Sequence, residues 1–185
     1  MYYDYSKSSC YYHVLYSYLE LAKQMRITSE KILDVGCGFN HLKRVYANLI
    51  GIDIAKNSKA DILGDCHMLP FRDKSFDISV SVGVIEHVKD PVRMIEEMVR
   101  VTKRRIGIVA PNRFAGRSDP RHLREYTIFE LIRLMRKYGK ILDWGYGGFG
   151  KRFRFKNKYL KMIVNWLIPR WISAEWIAVT IKVKR

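Results

Sequence analysis

The sequence has no CxxC pair: Cys10, Cys37 and Cys66 are an odd number at no metal-ligand spacing. A disulfide framework and a linear zinc motif are therefore not expected, and the thiols read as free in a reducing compartment. Nor is there a run of about 18 apolar residues, the length a membrane-spanning helix needs. The opening Met1-Tyr2-Tyr3-Asp4-Tyr5 lacks the basic, apolar, small-residue order of a signal peptide, so a cytoplasmic location is expected, with peripheral attachment to a membrane left open. Repeats and low-complexity tracts are absent, and no domain boundary is visible. With 185 residues, 48% of them apolar, the chain reads as one domain with a substantial core.

The charge is far from balanced. The chain carries a net +16, divided as about −1 over residues 1–99, about +15 over 100–170 and about +2 in the tail. So lopsided a field attracts a polyanion, and residues 100–170 are expected to face RNA or an anionic membrane surface.

The rest of the chain is organised around Lys31-Ile32-Leu33-Asp34-Val35-Gly36-Cys37-Gly38-Phe39-Asn40, where a buried strand breaks at two glycines one residue apart. Such a loop is either a tight strand-to-helix turn or backbone made bare so that a nucleotide-like cofactor can lie against it. His41 stands where a dinucleotide fingerprint has its third glycine. Leu49 to Ile54 reads as a second strand with Asp53 at its end, where a doubly wound sheet places the carboxylate that accepts from ribose hydroxyls. From Ala55 to Lys59 there is no room for a full crossover helix, so the link to the short run Ala60–Asp65 is expected to be stripped down or the third strand vestigial.

Further strands are expected at Ser75–Val82, Arg105–Ala110, Ile141–Tyr146 and Glu175–Val183. Helices are expected over roughly 11–25, over 41–48, from Asp90-Pro91 to about Val101, and from Thr127 to about Tyr138. The alternation of strand and helix predicts an α/β fold with a mostly parallel sheet and helices on both faces. Two late strands without a crossover helix predict antiparallel closure. The single domain then divides into a helical cap (1–29), a core (30–148), a basic aromatic insertion (149–172) and a last strand (173–185). In the insertion, Lys151, Arg152, Arg154 and Lys156 alternate with Phe153 and Phe155, a pattern suited to stacked bases or a membrane interface.

Ile32 to Gly38, Gly51 to Ile54, Gly64 to Phe71, Ser75-Phe76-Asp77 and Val84 to Val88 together resemble the ordered motifs of class I S-adenosylmethionine-dependent methyltransferases, in particular the type 11 small-molecule group. Pro111-Asn112-Arg113 and His122 to Thr127 resemble that group's segments after the fifth strand. The resemblance implies a Rossmann-like seven-stranded sheet that binds S-adenosyl-L-methionine. Asp34, Gly36 and Gly38 would line its methionine and ribose, Asp53 would bind the ribose hydroxyls, and Ile54 would pack on adenine. Asp65 would accept from the adenine amino group beside the Cys66 backbone, and Gly83 and Val84 would border the methionine end. Asn40 departs from the pattern, standing where the group usually has a glycine.

Methyl transfer from a sulfonium is a direct displacement that needs alignment and exclusion of water more than acid–base help. Should the acceptor have to lose a proton, His87 and His122 are the candidate bases. No metal is required and no ligand cluster is seen in the sequence. The expected activity is methyl transfer to a small-molecule, anionic or membrane-associated acceptor. RNA methylation, and a non-catalytic nucleic-acid-binding protein that retains the cofactor fold, are the alternatives.

Overall fold

Seven strands of the chain lie side by side in one sheet: β1 (Ile32–Val35), β2 (Leu49–Asp53), β3 (Ile62–Leu63), β4 (Phe76–Val82), β5 (Thr102–Pro111), β6 (Gly139–Gly147) and β7 (Trp176–Val183). The structure is a computed structural model that describes residues 21–22, 25–28, 30–115, 119–147 and 176–184. The strand order is β3-β2-β1-β4-β5-β7-β6. The first five strands in that order run parallel, and β7 is antiparallel to both β5 and β6. The expected antiparallel closure is thus present, with the reversed strand second from the edge.

Side-chain alternation divides the core between the two faces. Leu33 and Val35 of β1 and Ile106, Ile108 and Ala110 of β5 face one layer, joined by Ile177, Val179 and Ile181 of β7. Ile32, Ile78, Val80, Val82 and Val109 face the other. Phe76 and Ile78 are two residues apart yet lie in different layers, because the β4–β5 register slips between them. The buried hydroxyls of β4 are paired: Ser81 donates to the Val35 carbonyl at 2.9 Å, and Ser79 bonds Thr102 at 2.5 Å.

Helix α1 (Pro91–Val101) covers the first layer and begins as its sequence predicts, with Pro91 in the first turn and the Asp90 carboxylate accepting from the Arg93 N–H at 3.0 Å. The cap is worth about 1 kcal/mol. Met94, Ile95, Met98 and Val101 are all fully buried, at about 1.5–3 kcal/mol each, so packing rather than capping holds the helix. Helix α2 (Ile128–Arg136) starts with a complete capping box between Thr127 and Glu130 and buries Ile128, Leu131 and Met135 on the same layer.

The opposite layer is closed by Leu21 and Met25, which are helical and buried, and by Leu42 of a short 3-10 helix (His41–Arg44). The remainder of the expected 11–25 helix, its tyrosines and Cys10, and the basic aromatic insertion lie outside the described residues. Gly107 on β5 is where the amino-terminal segment sits down. A Cβ there would stand 2.5 Å from Met25 Sδ and 2.7 Å from Leu21 Cδ1. Gly107→Val is accordingly expected to cost about 1–3 kcal/mol by overpacking, read as a lower midpoint in urea. An unchanged midpoint would mean that the segment does not pack there.

The connection from β2 to β3 is the stripped-down link that the sequence predicts. It contains no helix, and β3 is only two residues long at the edge of the sheet. β1 lies between β2 and β4, so the chain reverses its direction of sheet growth there. In an open α/β sheet, ligands bind outside the carboxyl ends of the strands at such a point.

Candidate cofactor site

The carboxyl end of β1 runs straight into the glycine loop. Gly36 and Gly38 have φ of +75° and +52°, a region that L side chains rarely adopt. Space excludes a side chain at Gly36 as well, since its Cβ would stand 2.3 Å from Val84 Cγ2. The loop is tied to β2 by the N–H groups of Gly36 and Cys37, both donating to the Ile52 carbonyl at 2.8 and 3.1 Å. The buried Asp53 carboxylate then accepts from the Gly38 N–H and the Ala55 N–H, each at 2.8 Å. An ionised carboxylate has about four lone-pair sites, so two remain for a ligand after these bonds.

Asn40 resolves the departure noted in the sequence. Its φ of +55° and ψ of +45° supply the left-handed geometry that a glycine would have provided, at the smaller penalty asparagine pays there. Its side chain does what glycine could not. Asn40 Nδ2 lies 3.2 Å from both the Lys59 carbonyl and Asp61 Oδ2. Asp61 also accepts from the Gly51 N–H at 2.8 Å and pairs with Lys43. The short link after β2 is therefore laced onto the glycine loop in place of a packed helix. Burial alone would raise the Asp61 pKa, but the Gly51 N–H, Lys43 and Asn40 outweigh it and hold the carboxyl below its ordinary value. The resulting stabilisation is complete above about pH 4 and is lost as pH falls through the depressed folded-state value. Asp61→Asn should remove that part of the acid dependence of urea stability. An acid limb identical to wild type would show that the lacing contributes nothing.

The expected adenine residues follow β2 and β3. Ile54 is 65% exposed and Met68 76%, leaving apolar surface beside the strand ends. Asp65 accepts from the His67 N–H at 2.9 Å and from His67 Nδ1 at 2.6 Å. Those backbone and side-chain bonds keep the Asp65 carboxyl ionised well below its usual range. Burial pushes the neighbouring Cys66 thiol up to about 12 and the Cys37 thiol upward too, so both are inert thiols at neutral pH. Asp34 is fully buried at the end of β1.

Beyond β4 the chain turns at Gly83, with φ of +68°, and Val84, whose side chain meets Gly36. The Gly83 backbone faces Glu86, whose Oε1 would lie 3.6 Å from a Cβ placed there. The loop from 119 to 126 is drawn onto this turn by backbone bonds from Leu123 and Arg124 to the Glu86 carbonyl. His87 Nδ1 lies 3.2 Å from the Arg121 carbonyl, and Arg124 reaches the Lys89 carbonyl at 3.1 Å. The two candidate bases thereby meet, with the His87 and His122 rings 4.9 Å apart in a T-shaped contact.

Glu86 lies beside these two histidines, a candidate that the sequence did not single out. It is 1% exposed, and burial pushes its carboxyl up to about 8. Burial also lowers the pKa of His87, which favours the neutral imidazole. An acid immediately before a candidate base was a usable signal, but nothing in the sequence shows that Glu86 points inward.

Residues 33–108 match the family model described as Methyltransferase domain. That stretch is similar to the methyltransferase-domain family and makes up less than half of the chain. Among curated relatives, a demethylmenaquinone methyltransferase of Thermotoga maritima is 30% identical over 129 residues, covering 57% of this chain and 56% of its own. A probable tRNA methyltransferase 9B of Mus musculus is 35% identical over 83 residues, covering 38% of this chain and 19% of its own. The chain thus spans about half or less of the length of these relatives. Among solved structures, the methyltransferase bound to the Trm112 activator in a Haloferax volcanii complex superposes with a TM-score of 0.75 at 13% identity, covering 96% of this chain and 92% of that one. At that identity the likeness concerns the fold.

The methyltransferase domain implies S-adenosylmethionine as its cofactor, and the residues present fit it. The bare backbone at Gly36 leaves the close approach that a Cβ would block, Asp53 retains acceptor capacity for two hydroxyls, and Ile54 offers an apolar surface to a flat ring.

A pocket of about 380 Å³ lined by Lys103, Arg104, Arg105, Leu142, Lys182 and Val183 lies at the other end of the sheet, by the amino end of β5. Its cations are largely engaged, Lys103 with Asp77 at 3.6 Å and Arg104 and Arg105 with Glu30 at 3.8 and 2.6 Å. It is remote from the glycine loop and is not the cofactor site.

Proposed function

We propose that the protein transfers the methyl group of S-adenosylmethionine to a small-molecule, anionic or membrane-associated acceptor. The observation that carries this reading is the convergence of the bare Gly36 backbone, the Asp53 carboxylate and the Gly83–Val84 turn at one switch point of the sheet. In this reading Asp34, Gly36, Gly38 and Asp53 hold the methionine and ribose. Ile54, Asp65 and the Cys66 backbone take the adenine, and Gly83 and Val84 border the sulfonium. The cofactor, when bound, supplies an electrophilic methyl carbon. The chain's own residues align an acceptor behind it and keep water away. Glu86, His87 and His122 take the acceptor side, beneath Gly83. The exposed apolar residues Phe114 and Leu123 of the loop after β5 offer a wall for the acceptor's body.

A second reading, RNA methylation, is favoured by the +16 charge and by the tRNA-directed description of one relative. Incubating the chain with labelled S-adenosylmethionine and a cell extract tests both. Label in a small organic-soluble product supports the first, and label in RNA supports the second. No protein-dependent transfer with any fraction counts against catalysis altogether. In that event salt-sensitive RNA binding would favour a nucleic-acid-binding protein that retains the cofactor fold.

A further inference from the structure

Folding assembles two groups of metal-capable side chains among the described residues, Asp65–Cys66–His67 and Glu86–His87–His122, each with its donor atoms within 4.8 Å of one another. The second grouping is not legible in the sequence, because His122 is far along the chain from Glu86 and His87. The first group is consecutive, and its Asp65 carboxylate is already bridged by the His67 N–H and Nδ1.

The second group is different in three respects. Glu86 is buried, and its Oε2 has no hydrogen-bond partner among the described residues. A carboxylate taken out of water in this way needs a cation or a proton. His122 Nδ1 is likewise buried with no hydrogen-bond partner among the described residues, and Glu125 Oε1 is 3.6 Å away. His87 Nδ1 meets a backbone carbonyl, that of Arg121, at 3.2 Å. A carbonyl only accepts, so this nitrogen carries the proton and the lone pair sits on Nε2. That Nε2 lies 4.0 Å from Glu86 Oε1. A ligating imidazole almost always has such a second bond, which sets its tautomer and ring orientation.

One carboxylate and two imidazoles form the donor set that transition metals take in open sites, with positions left for water or substrate. Metal–ligand bonds of about 2.0–2.2 Å put neighbouring donors about 3–3.5 Å apart. Closing the 4.0 Å pair to that range is a side-chain adjustment of under about 1 Å.

We infer that Glu86, His87 and His122 bind a divalent transition-metal cation of the Zn²⁺ class. The Gly83 backbone beside Glu86 places that cation on the acceptor side of the turn that borders the methyl donor. There it would bind an acceptor oxygen and acidify it, doing the work expected of a histidine base. That role rests on the proposed methyl transfer, whereas cation binding does not.

The test is a titration of the untagged, metal-stripped full chain with Co²⁺, followed by its visible bands, and with Zn²⁺, followed by calorimetry, both without S-adenosylmethionine. The expected result is one saturable equivalent that weakens by at least about tenfold in Glu86→Gln and in His122→Gln and is retained in His67→Gln. Circular dichroism checks that each variant is folded. Should both variants unfold, a Zn²⁺-dependent rise in the wild-type melting temperature, retained in His67→Gln, decides between binding and no binding. No saturable binding, binding that survives both substitutions, a melting temperature insensitive to Zn²⁺, or binding or a rise abolished by His67→Gln would each overturn the inference. Because the cofactor is left out, failure of the methyl-transfer reading would leave the result standing.

Discussion

Asp53→Ala is expected to lower S-adenosylmethionine affinity by about 10²–10⁴-fold in calorimetry. The carboxylate would accept two ribose hydroxyls, and hydrogen bonds to a charged acceptor are worth about 1.5–3 kcal/mol each. The substitution also strips the N–H groups of Gly38 and Ala55 of their acceptor at a buried position, so the loop loses its shape as well as its ligand contact. Asp53→Asn should not rescue it, because the amide would turn its own donors toward one of those N–H groups. Asp90→Ala is the control: it removes the cap of α1, costing about 1 kcal/mol of stability, and should leave cofactor affinity unchanged. Wild-type affinity in Asp53→Ala would remove the assignment of this end of β2 to the cofactor.

The largest stability effect is expected at Gly36. A β-branched residue there meets two obstacles at once, a φ of +75° and a neighbouring Val84 methyl 2.3 Å from the new Cβ. The left-handed backbone costs about 1–2 kcal/mol and overpacking about 1–3 kcal/mol more. Gly36→Val should therefore lose about 2–5 kcal/mol, a large share of the stability of about 5–15 kcal/mol usual for a domain. The two contributions can be separated. Gly36→Ala combined with Val84→Ala removes the two closest contacts and leaves the Val84 Cβ at 3.2 Å, so a double-mutant cycle in urea should show favourable coupling between the positions. Strict additivity would mean that Gly36 and Val84 do not touch and that the β4 turn is not seated on the glycine loop.

Both predictions fall on residues that were legible before folding was considered. Gly36, Gly38 and Asp53 announce themselves because their functions are local. A glycine is needed where the backbone must turn left-handed, and an acid at a strand end sits where a parallel sheet exposes its ligand-binding edge. The helix starts at Asp90-Pro91 and Thr127 were legible for the same reason, since a cap involves residues within one turn. Strand ends were less so. β5 begins at Thr102, directly after α1, because Thr102 pairs with Phe76 of β4 and carries the strand through Lys103 and Arg104, whose charges do not read as strand.

Asn40 marks the boundary between the two kinds of information. Its tolerance of the left-handed region is intrinsic to asparagine, and the thinness of the link after Asp53 was visible in the spacing alone. That its amide spans Lys59 and Asp61, and so compensates for the absent helix, depends on the link folding back over the glycine loop.

The sequence by itself determined the candidate cofactor site: the parallel order of the first strands, the glycine loop, the acid after β2 and the turn after β4. Each is written in a few adjacent residues whose backbone preferences and periodicity act over short range. Only the tertiary structure decided the side proposed for the acceptor. Glu86, His87 and His122 become one cluster because the loop after β5 is hydrogen-bonded onto the turn after β4, through Leu123, Arg124 and Arg121. The bonds from Leu123 and Arg124 to the Glu86 carbonyl use backbone groups that nearly every residue carries, so no pattern of residue types could have forecast which two segments they would join.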